Sequence, residues 1–274
     1  MPELPEVETI VRDLRPRVTG AAIRGATLSH TDVLRGVTRP ALLRALAGAT
    51  IGAVTRRAKH AVFDLGDRRL VVQPGMSGAL LVHEAPLTPT EARYAVLVCD
   101  LADGRRLVYR DVRRLGTLRL LDARGWARHD AALGVEPLDP AFTPAALADR
   151  LRGSRQAVKK VLMDQRRIAG VGNIYANEAL FEAGIDPSRA AGTLGAAEVA
   201  ALHAALVDVL RRAVAARGTT VRDYRTGTGQ RGGFQPALRA YGREGEPCVR
   251  CGTRLAGTHA IDARITVFCH RCQR

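Results

Sequence analysis

The chain begins Met1-Pro-Glu-Leu-Pro-Glu-Val-Glu-Thr9, and this stretch opens an amphipathic helix. Apolar residues recur at the three- and four-residue spacing of one helix face: Val7, Ile10, Val11, Leu14 and Val18. Pro5 is acceptable in the first turn, because the amide hydrogen that proline lacks would have no intrahelical acceptor there. The pattern predicts a helix that begins almost at the terminus, with Pro2 directly before it.

Pro2 is a candidate nucleophile in front of this helix. Its small side chain predicts removal of Met1, which would leave a free secondary amine. An α-amino group titrates near ~8, well below a lysine at ~10.4, so more of it is free base at neutral pH. Attack of such an amine on a sugar aldehyde carbon gives an iminium, which acts as an electron sink.

The charges around Pro2 suit this chemistry. The positive end of the helix should lower the pKa of the amine, while Glu3 and Glu6 can hold the amine and supply acid and base groups. Acidic residues are also common in the first turn of ordinary helices, and taken alone this stretch is better explained in that way. The choice between the two interpretations depends on the rest of the chain.

Four cysteines form two closely spaced pairs near the other end of the chain, Cys248-x2-Cys251 and Cys269-x2-Cys272. The 17 residues between the pairs are within the spacing of a four-cysteine zinc site, in which two knuckles joined by a β-hairpin supply four thiolates. His259 and His270 lie nearby, but the four thiolates already complete such a site.

Two disulfides are the alternative use of these cysteines. They are disfavoured because no apolar signal segment precedes the fold, which indicates a reducing compartment and a cytoplasmic, nucleoid-associated protein. The fifth cysteine, Cys99, lies in the apolar run 95–99 and is expected to be a small core residue.

The composition predicts a polyanionic partner. The 274 residues include 42 Lys and Arg against 27 Asp and Glu, a formal net charge of +15, and nucleic acid is the usual partner of such a chain. Aromatic residues make up only 4%, which argues against a single-strand binder built on base stacking. No apolar run approaches the ~20 residues of a membrane span. Only three basic residues are lysines, Lys59, Lys159 and Lys160, and lysine, unlike arginine, can lose its proton.

The chain divides into a β-rich and a helical part. Residues 21–121 contain short strands around the turns Gly66-Asp67 and Asp103-Gly104, which predicts an antiparallel sandwich or barrel. Residues 122–143 hold Gly, Pro and Asp and are typical of a linker. Helices are predicted over Pro144–Arg152, Gln156–Gln165, Ile174–Ala183 and Ala196–Ala216.

Two glycine-rich segments interrupt the helical part. Residues Ala169-Gly-Val-Gly-Asn173 form a turn whose glycines let the backbone approach a phosphate, and Asn173 is predicted to be both an N-cap and a phosphate contact. Residues 222–240 are polar and lack periodicity, which predicts a mobile loop.

Several motifs in order along the chain resemble one family, the formamidopyrimidine-DNA glycosylases. They are Pro2-Glu-Leu-Pro-Glu-Val-Glu-Thr9, Arg56-Arg-Ala-Lys59, Gly75-Met-Ser-Gly78, Asp111-Val-Arg-Arg114, Gly170-Val-Gly-Asn-Ile-Tyr175, Tyr241-Gly-Arg243 and the four-cysteine segment. The resemblance implies an α+β fold, with a β-sandwich led by an α-helix, a helix-two-turn-helix domain and a β-hairpin zinc finger that holds one structural Zn2+. The implied boundaries are 1–130 for the catalytic sandwich, 131–150 for a linker, 151–235 for the helical domain with a lesion-recognition loop, and 236–274 for the finger.

The resemblance also implies a base-excision-repair activity on damaged double-stranded DNA, exerted by a monomer with DNA in the cleft between its two halves. An oxidised purine, 8-oxoguanine or formamidopyrimidine, is everted because its sugar C1′ cannot be reached inside the stack. Pro2 would then attack C1′ as the base leaves, and Glu3 would donate a proton to the opening sugar ring. Elimination through the iminium would cut first the 3′ and then the 5′ phosphate, which is β,δ-elimination by an AP lyase.

Further roles follow from the matching motifs. Lys59 would contact phosphates near the lesion and assist β-elimination, and Arg264 in the finger would hold phosphates and serve the second elimination. Glu6 would help to seat the damaged base. The space left by that base would be filled by Met76, Arg113 and Leu115, and phosphates would be gripped by Arg155, Lys159 and Asn173.

The chain departs from the family pattern at a few positions. Val112 and Leu115 stand where the family usually has proline and phenylalanine, and His60 stands where it usually has an aromatic residue. Two other functions remain open: an endonuclease VIII-like glycosylase for oxidised pyrimidines, and a non-catalytic damage-binding protein. Leu4 and the loop over 222–240 favour the purine branch, and Pro2 with Glu3 argues against a non-catalytic protein.

Overall fold

In the computed structural model, which describes residues 1–274, helix α1 spans Leu4–Val18 and buries one complete face. Glu3 is its N-cap, and the Glu3 amide donates to Glu6 Oε2 at 2.8 Å in a capping box. The apolar residues that predicted the helix, Val7, Ile10, Val11, Leu14 and Val18, are all fully buried. The predicted helix is therefore confirmed, and its cap holds Pro2 immediately outside the first turn.

Two four-stranded antiparallel sheets follow, and only the first has its strands out of chain order. The first has the order β1-β6-β7-β5, with β1 Ile23–Leu28, β5 Gly78–His83, β6 Ala95–Leu101 and β7 Arg106–Asp111. The second has the order β2-β3-β4-β8, with β2 Ala53–Arg57, β3 His60–Asp64, β4 Arg68–Gln73 and β8 Thr117–Asp122. The hairpins predicted at Gly66-Asp67 and Asp103-Gly104 are the β3–β4 and β6–β7 connections.

Both sheets and α1 contribute to a single apolar core. It includes Val11 of α1, Phe63 of β3 and Tyr109 of β7, all at most 1% exposed. Cys99 lies in this core, as predicted, and burial raises the pKa of its thiol to about 12. A thiol in that environment stays protonated and unreactive at neutral pH.

Three short helices lie where strand or linker was expected: α2 Arg39–Leu46, α3 Pro89–Tyr94 and α4 Ala123–Ala131. Helices α2 and α3 each begin with a threonine N-cap and a proline in the first turn, at Thr38 and Thr88. These are start signals that outweigh the β-rich surroundings, since the hydroxyl accepts an otherwise unsatisfied amide. The expectation of a linker over 122–143 is wrong for its first part, because α4 packs on β4 and β8.

The second unit is helical and ends in a small hairpin. Its helices are α5 Pro144–Leu151, α6 Val158–Met163, α7 Asn173–Ala183 and α8 Ala196–Ala215, with 3-10 turns at Ala191–Thr193 and Gln235–Ala237. Strands β9 Ala256–Thr258 and β10 Thr266–Phe268 pair antiparallel between the two cysteine pairs. No helix of the structure combines the length and apolar character that a bilayer span requires.

Gly172, not Asn173, is the N-cap of α7. The predicted capping role of Asn173 is therefore wrong. Its side chain turns instead toward the hairpin, where Nδ2 donates to the Ile265 carbonyl at 3.1 Å. The local sequence gives no sign of this distant carbonyl, which competes with the helix start for the Asn173 side chain.

The segment Ala216–Gly233 groups with the first unit, which otherwise comprises Met1–Ala131. The sequence-based boundary placed this segment in the helical domain. Its contacts explain the difference: the Thr219 amide donates to Glu6 Oε1 at 2.7 Å, and Arg217 Nη2 reaches both oxygens of Asp13 at 2.8 and 2.9 Å. The segment is thus attached to α1 by charge-assisted hydrogen bonds.

Candidate active site

The chain terminus lies among charged side chains of the first unit. Pro2 is buried, whereas the side chain of Met1 is exposed and its Sδ accepts from Gln73 Nε2 at 3.6 Å. Burial lowers the pKa of the Met1 amino group, Lys59 and Arg113 lower it further, and Glu3 and Glu6 oppose the shift. A terminal amine in this place is therefore held more in its free-base form than an ordinary α-amino group. Met1 precedes Pro2 here, so the proline nitrogen is still a peptide nitrogen.

Glu3 and Glu6 are both almost completely buried, at 4% and 1% exposure. Glu6 uses its two oxygens for backbone donors, the Glu3 amide and the Thr219 amide. The Tyr224 hydroxyl lies within hydrogen-bond distance of the carbonyls of Glu6 and Arg217, at 3.2 and 3.1 Å. In this structure Glu6 joins the cap of α1 to the Ala216–Gly233 segment. The role of seating a base, implied by the family resemblance, stays a prediction.

Lys59 lies in the tight turn between β2 and β3 and is only 4% exposed. Lys59 is therefore not an ordinary solvent-exposed lysine at the end of a strand. Ala58, directly before it, has a φ of +52°, a left-handed conformation that is unfavourable for a residue with a Cβ. Arg56 Nη1 donates to the Ala58 carbonyl at 3.0 Å and Arg56 Nε to Glu8 Oε2 at 3.0 Å. The turn thus holds a buried ammonium whose charge acts on the terminal amine.

Two loops beside this site present apolar side chains to solvent. Met76, Val112 and Leu115 are 42%, 43% and 54% exposed, which is unusual for large apolar residues that share two neighbouring loops. Arg113 is exposed beside them. Met76, Arg113 and Leu115, which the sequence motifs assigned to filling the space of an everted base, therefore lie on these two neighbouring loops.

Buried polar groups fix these loops to each other. Asp111 accepts from Ser77 Oγ at 2.6 Å, from the Tyr109 hydroxyl at 2.9 Å and from the Gly116 amide at 2.8 Å, and Ser77 Oγ accepts from the Arg113 amide at 2.9 Å. Sequence reasoning assigned no role to Ser77 or Asp111, although both lie in quoted motifs. A carboxylate that ends a buried strand is the signal that could have identified Asp111, since buried charges require partners.

Gly116 explains how closely the two loops approach. A Cβ at this position would lie 1.9 Å from the Tyr109 hydroxyl and 2.7 Å from the Gly75 amide nitrogen. No side chain larger than hydrogen fits between the loops. This close approach of the two loops places Met76 and Leu115 on neighbouring segments.

An open recess lies between the Arg113 loop and the Ala216–Gly233 segment within the first unit. Its volume is about 390 Å³, and it is lined by Ser77, Arg110, Val112, Arg113, Arg222, Asp223 and Arg225. Arg113 Nη2 pairs with Asp223 Oδ2 at 3.2 Å across it. Four arginines against one carboxylate give the recess a positive charge that suits a phosphate-bearing ligand.

The second unit places the predicted phosphate contacts differently. Arg155 is exposed, as a phosphate contact requires, but Lys159 is fully buried. Lys159 Nζ donates to the Ile265 carbonyl at 3.1 Å and to Thr266 Oγ1 at 2.7 Å, so it binds the hairpin and exposes no surface to a phosphate. The predicted direct grip by Lys159 is not present in this structure, because α6 packs it inward. The adjacent Lys160 is exposed instead.

Arg264 lies on the exposed bend between β9 and β10. Its Nε and Nη2 lie 3.2 and 3.3 Å from the oxygens of Asp262, and this contact, with a lesser contribution from Lys159, lowers the pKa of Asp262. Half of the Arg264 side chain remains exposed. The arginine is therefore held by a carboxylate yet accessible to an anionic ligand.

The four cysteines converge as their spacing predicted. Their sulfur atoms all lie within 4.8 Å of one another, with Cys248 to Cys272 at 3.9 Å and Cys251 to Cys269 at 3.6 Å. Four sulfurs at Zn–S bonds of about 2.3 Å around a tetrahedral ion would be ~3.8 Å apart. The geometry fits one tetrahedral metal ion, and the cysteines are not paired as disulfides.

The His60 side chain next to Lys59 predicts an acid-sensitive fold. Burial, together with His129, Arg119 and Arg57, lowers the pKa of His60 to about 4 from its ordinary 6.5. A lowered folded-state pKa gives stability that is present above pH 6.5 and is lost as the pH falls toward 4, because the unfolded chain then binds the extra proton. We expect a loss of about 3 kcal/mol in the free energy of unfolding over that range.

Urea unfolding followed by the fluorescence of Trp126, the single tryptophan, measures this loss in the first unit. His60→Phe, which restores an aromatic residue without a titrating ring, should flatten the pH dependence, whereas His83→Phe should not. Equal pH dependence of His60→Phe and the unaltered protein would contradict the prediction.

Comparison with known proteins supports one family over the full chain. Residues 1–118 match the model of the formamidopyrimidine-DNA glycosylase N-terminal domain, and residues 133–225 match that of the formamidopyrimidine-DNA glycosylase H2TH domain. A formamidopyrimidine-DNA glycosylase of Chloroflexus aggregans is 45% identical over 276 residues, which cover 100% of this chain and 98% of that protein.

Two solved structures share the fold. The MutM (Fpg) protein of Thermus thermophilus superposes with a TM-score of 0.87 at 38% identity, covering 99% of this chain and 98% of that one. Wild-type Lactococcus lactis Fpg, in complex with DNA containing N7-benzyl-Fapy-dG, superposes with a TM-score of 0.89 at 31% identity and full coverage of both chains. The chain therefore belongs to the formamidopyrimidine-DNA glycosylase family, and it is a DNA glycosylase.

Proposed function

We propose that this glycosylase removes oxidised purines, 8-oxoguanine and formamidopyrimidines, and then cuts the strand as an AP lyase through a Schiff base on Pro2. The observation that carries the proposal is the environment of the terminus, where Glu3, Glu6 and Lys59 are buried and act electrostatically on the Met1 amino group, whose pKa is lowered by burial. An amine held as free base beside a carboxyl group is the arrangement that covalent catalysis at a sugar carbon requires.

The proposed chemistry begins when the Pro2 nitrogen forms a bond to C1′ and the bond from C1′ to the base breaks. Glu3 donates a proton to the ring oxygen, so the sugar opens and an iminium remains on Pro2. When a proton leaves C2′, the iminium accepts the electron pair of the broken C–H bond and becomes an enamine. The enamine then expels the 3′ phosphate, which leaves with the electron pair of the C3′–O bond, and a conjugated iminium remains on Pro2. Lys59, which is buried in the turn between β2 and β3, supplies positive charge beside these steps.

The exposed loops supply the means to hold an everted nucleotide. Met76 and Leu115 are apolar wedges that can occupy the vacated stack, and inserted apolar side chains are a known way to unstack a base step. Arg113 can donate to the acceptor atoms of an orphaned cytosine.

Arg155, Asn173 and Arg264 are the proposed phosphate contacts of the second unit, and one Zn2+ bound by Cys248, Cys251, Cys269 and Cys272 would hold Arg264 in place. The functional protein is proposed to be a monomer.

The test is excision from duplexes that carry 8-oxoguanine opposite C, A, G or T, beside a duplex that carries an oxidised pyrimidine. We expect the oxidised purine opposite C to be processed best. Arg113→Ala should relax the choice of opposite base, since it removes the donor to cytosine, and Arg114→Ala is the matched control at the neighbouring arginine. Leu115→Phe should tighten lesion binding modestly, because stacking contributes roughly 1–3 kcal/mol per base and leucine recovers only part of it.

A preference for the oxidised pyrimidine would favour the endonuclease VIII-like alternative. An unchanged order of opposite bases in Arg113→Ala would overturn the account of discrimination while leaving the Pro2 chemistry intact. Binding without any excision would favour a damage-binding protein.

A further inference from the structure

In the turn between β2 and β3, Ala58, directly before Lys59, has an unfavourable backbone conformation. Ala58 has a φ of +52°, and Lys59 is 4% exposed. Strained residues persist only where surrounding contacts determine them, and they concentrate at functional sites. The contacts of the residues that flank Ala58 and Lys59 therefore show what keeps the ammonium in place.

Two elements hold this turn from different sides. Arg56, which lies before Ala58, bonds to Glu8 of α1 at 3.0 Å. Arg57, the next residue, reaches helix α4, where its Nε donates to Asp130 Oδ1 at 2.5 Å and its Nη2 to the Asp130 carbonyl at 3.4 Å. The α4 contact thus grips the side chain directly adjacent to the strained residue.

A second contact joins α4 to the other flank of the turn. The ring of His60, which follows Lys59, packs edge-on against the ring of His129 with centroids 5.0 Å apart. His60 Nδ1 also lies 3.2 Å from the Arg57 carbonyl, so the two flanks are linked across the turn. Residues on both sides of Ala58-Lys59 therefore contact neighbouring residues of one helix.

Helix α4 is itself anchored to the sheet, so it can serve as a fixed support. Trp126 lies one turn before His129, with ring centroids 5.8 Å apart, and the Arg69 guanidinium of β4 lies 5.1 Å above the Trp126 ring. The helix also packs on β8. Its position is determined by the sandwich.

We propose that α4 is a positioning element for Lys59, with Asp130 and His129 as positioning residues that act through Arg57 and His60. This inference rests on the proposed role of Lys59 in β-elimination. The Asp130 side chain is 46% exposed, and ion pairs at that exposure contribute little to folding. Loss of Asp130 should therefore displace the ammonium without unfolding the domain.

The experiment measures single-turnover β-elimination on a duplex with a preformed abasic site, together with DNA affinity and melting temperature. Asp130→Ala should slow elimination about tenfold, because small displacements of a catalytic group cost one to two orders of magnitude in rate. Affinity and melting temperature should stay near those of the unaltered protein. The matched control is Asp100→Ala, which removes an ion pair of similar exposure to Arg106 at 2.9 Å on the other sheet and should leave elimination unchanged.

A double-mutant cycle distinguishes positioning from a general structural effect. If Asp130 acts through Lys59, Asp130→Ala should add less than about twofold to the loss already caused by Lys59→Ala, since coupled residues are not additive. Asp130→Glu should recover part of the rate. His129→Ala tests the second contact independently, and it should slow elimination only in the protein that retains Lys59.

Full additivity in the Lys59→Ala background, or equal rates for Asp130→Ala and Asp100→Ala, would overturn the inference while the role of Lys59 stands. A Lys59→Ala protein that eliminates at the normal rate would overturn both the proposed role of Lys59 and the positioning role of α4. If Asp130→Ala alone lowers the melting temperature, the same cycle with His129→Ala decides.

Discussion

Borohydride added while the protein processes an 8-oxoguanine:C duplex is expected to trap a covalent protein–DNA adduct through Pro2. The iminium between the Pro2 nitrogen and C1′ is the only species in the proposed route that hydride can convert into a stable amine. Burial, with Lys59 and Arg113, lowers the pKa of the Met1 amino group, and we expect the same surroundings to favour the free base of a Pro2 amine once Met1 is removed. Pro2→Gly should lower strand cleavage, because it replaces the secondary amine by a primary amine whose imine, unlike the proline iminium, is not fixed in the charged form.

The state of the terminus provides the control for this experiment. With Met1 retained, the proline nitrogen is a peptide nitrogen and cannot form the adduct, so a protein with an N-terminal extension should bind damaged DNA but trap nothing. Peptide mapping of the adduct locates the bond. An adduct on Lys59, or trapping that survives Pro2→Gly undiminished, would contradict the assignment.

Removal of the proposed Zn2+ from the four-cysteine cluster is expected to have the second largest effect. Thiolate sites of this kind derive about 10–16 kcal/mol of folding free energy from the ion, so the hairpin around them should unfold in Cys251→Ser or after chelation. Arg264 would then lose its defined position. We expect damaged DNA to bind more weakly, and the slope of log affinity against log salt to become shallower by about 0.9 for each phosphate that the protein no longer neutralises.

The first unit should remain folded in this experiment, because its core contains no residue of the finger. Trp126 fluorescence checks that unit, and metal analysis checks that the sample is free of zinc. Arg264→Ala in the metal-bound protein is the matched control, since it removes the proposed phosphate contact without unfolding the hairpin. Unchanged affinity and slope in a verified metal-free sample would contradict the structural role of the ion.

The sequence by itself determined the elements whose signals are local. The apolar face of α1 and the two cysteine pairs each follow from spacing within a few residues, and the structure has them as predicted. The β-hairpins followed from turn dipeptides in the same way. The order of the motifs along the chain also indicated the family without any tertiary structure, because each motif is a short stretch with its own chemistry.

Only the tertiary structure decided which polar residues are enclosed and what they bind. Lys159 was expected at a phosphate, yet packing turns it inward to Ile265 and Thr266, more than a hundred residues away in the chain. Asn173 prefers the finger to its own helix start for the same reason. A local pattern does not contain the partners that compete for a side chain.

The supports of the site were equally invisible in the sequence. Residues 123–131 suggested a linker, but Trp126 and His129 pack them as a helix beside the Lys59 turn. Asp111 holds two loops together, because its carboxylate accepts hydrogen bonds from Ser77 Oγ in one loop and from the Gly116 amide in the other. Such residues gain their roles only when distant segments meet, because burial makes every polar group depend on a partner that folding alone supplies.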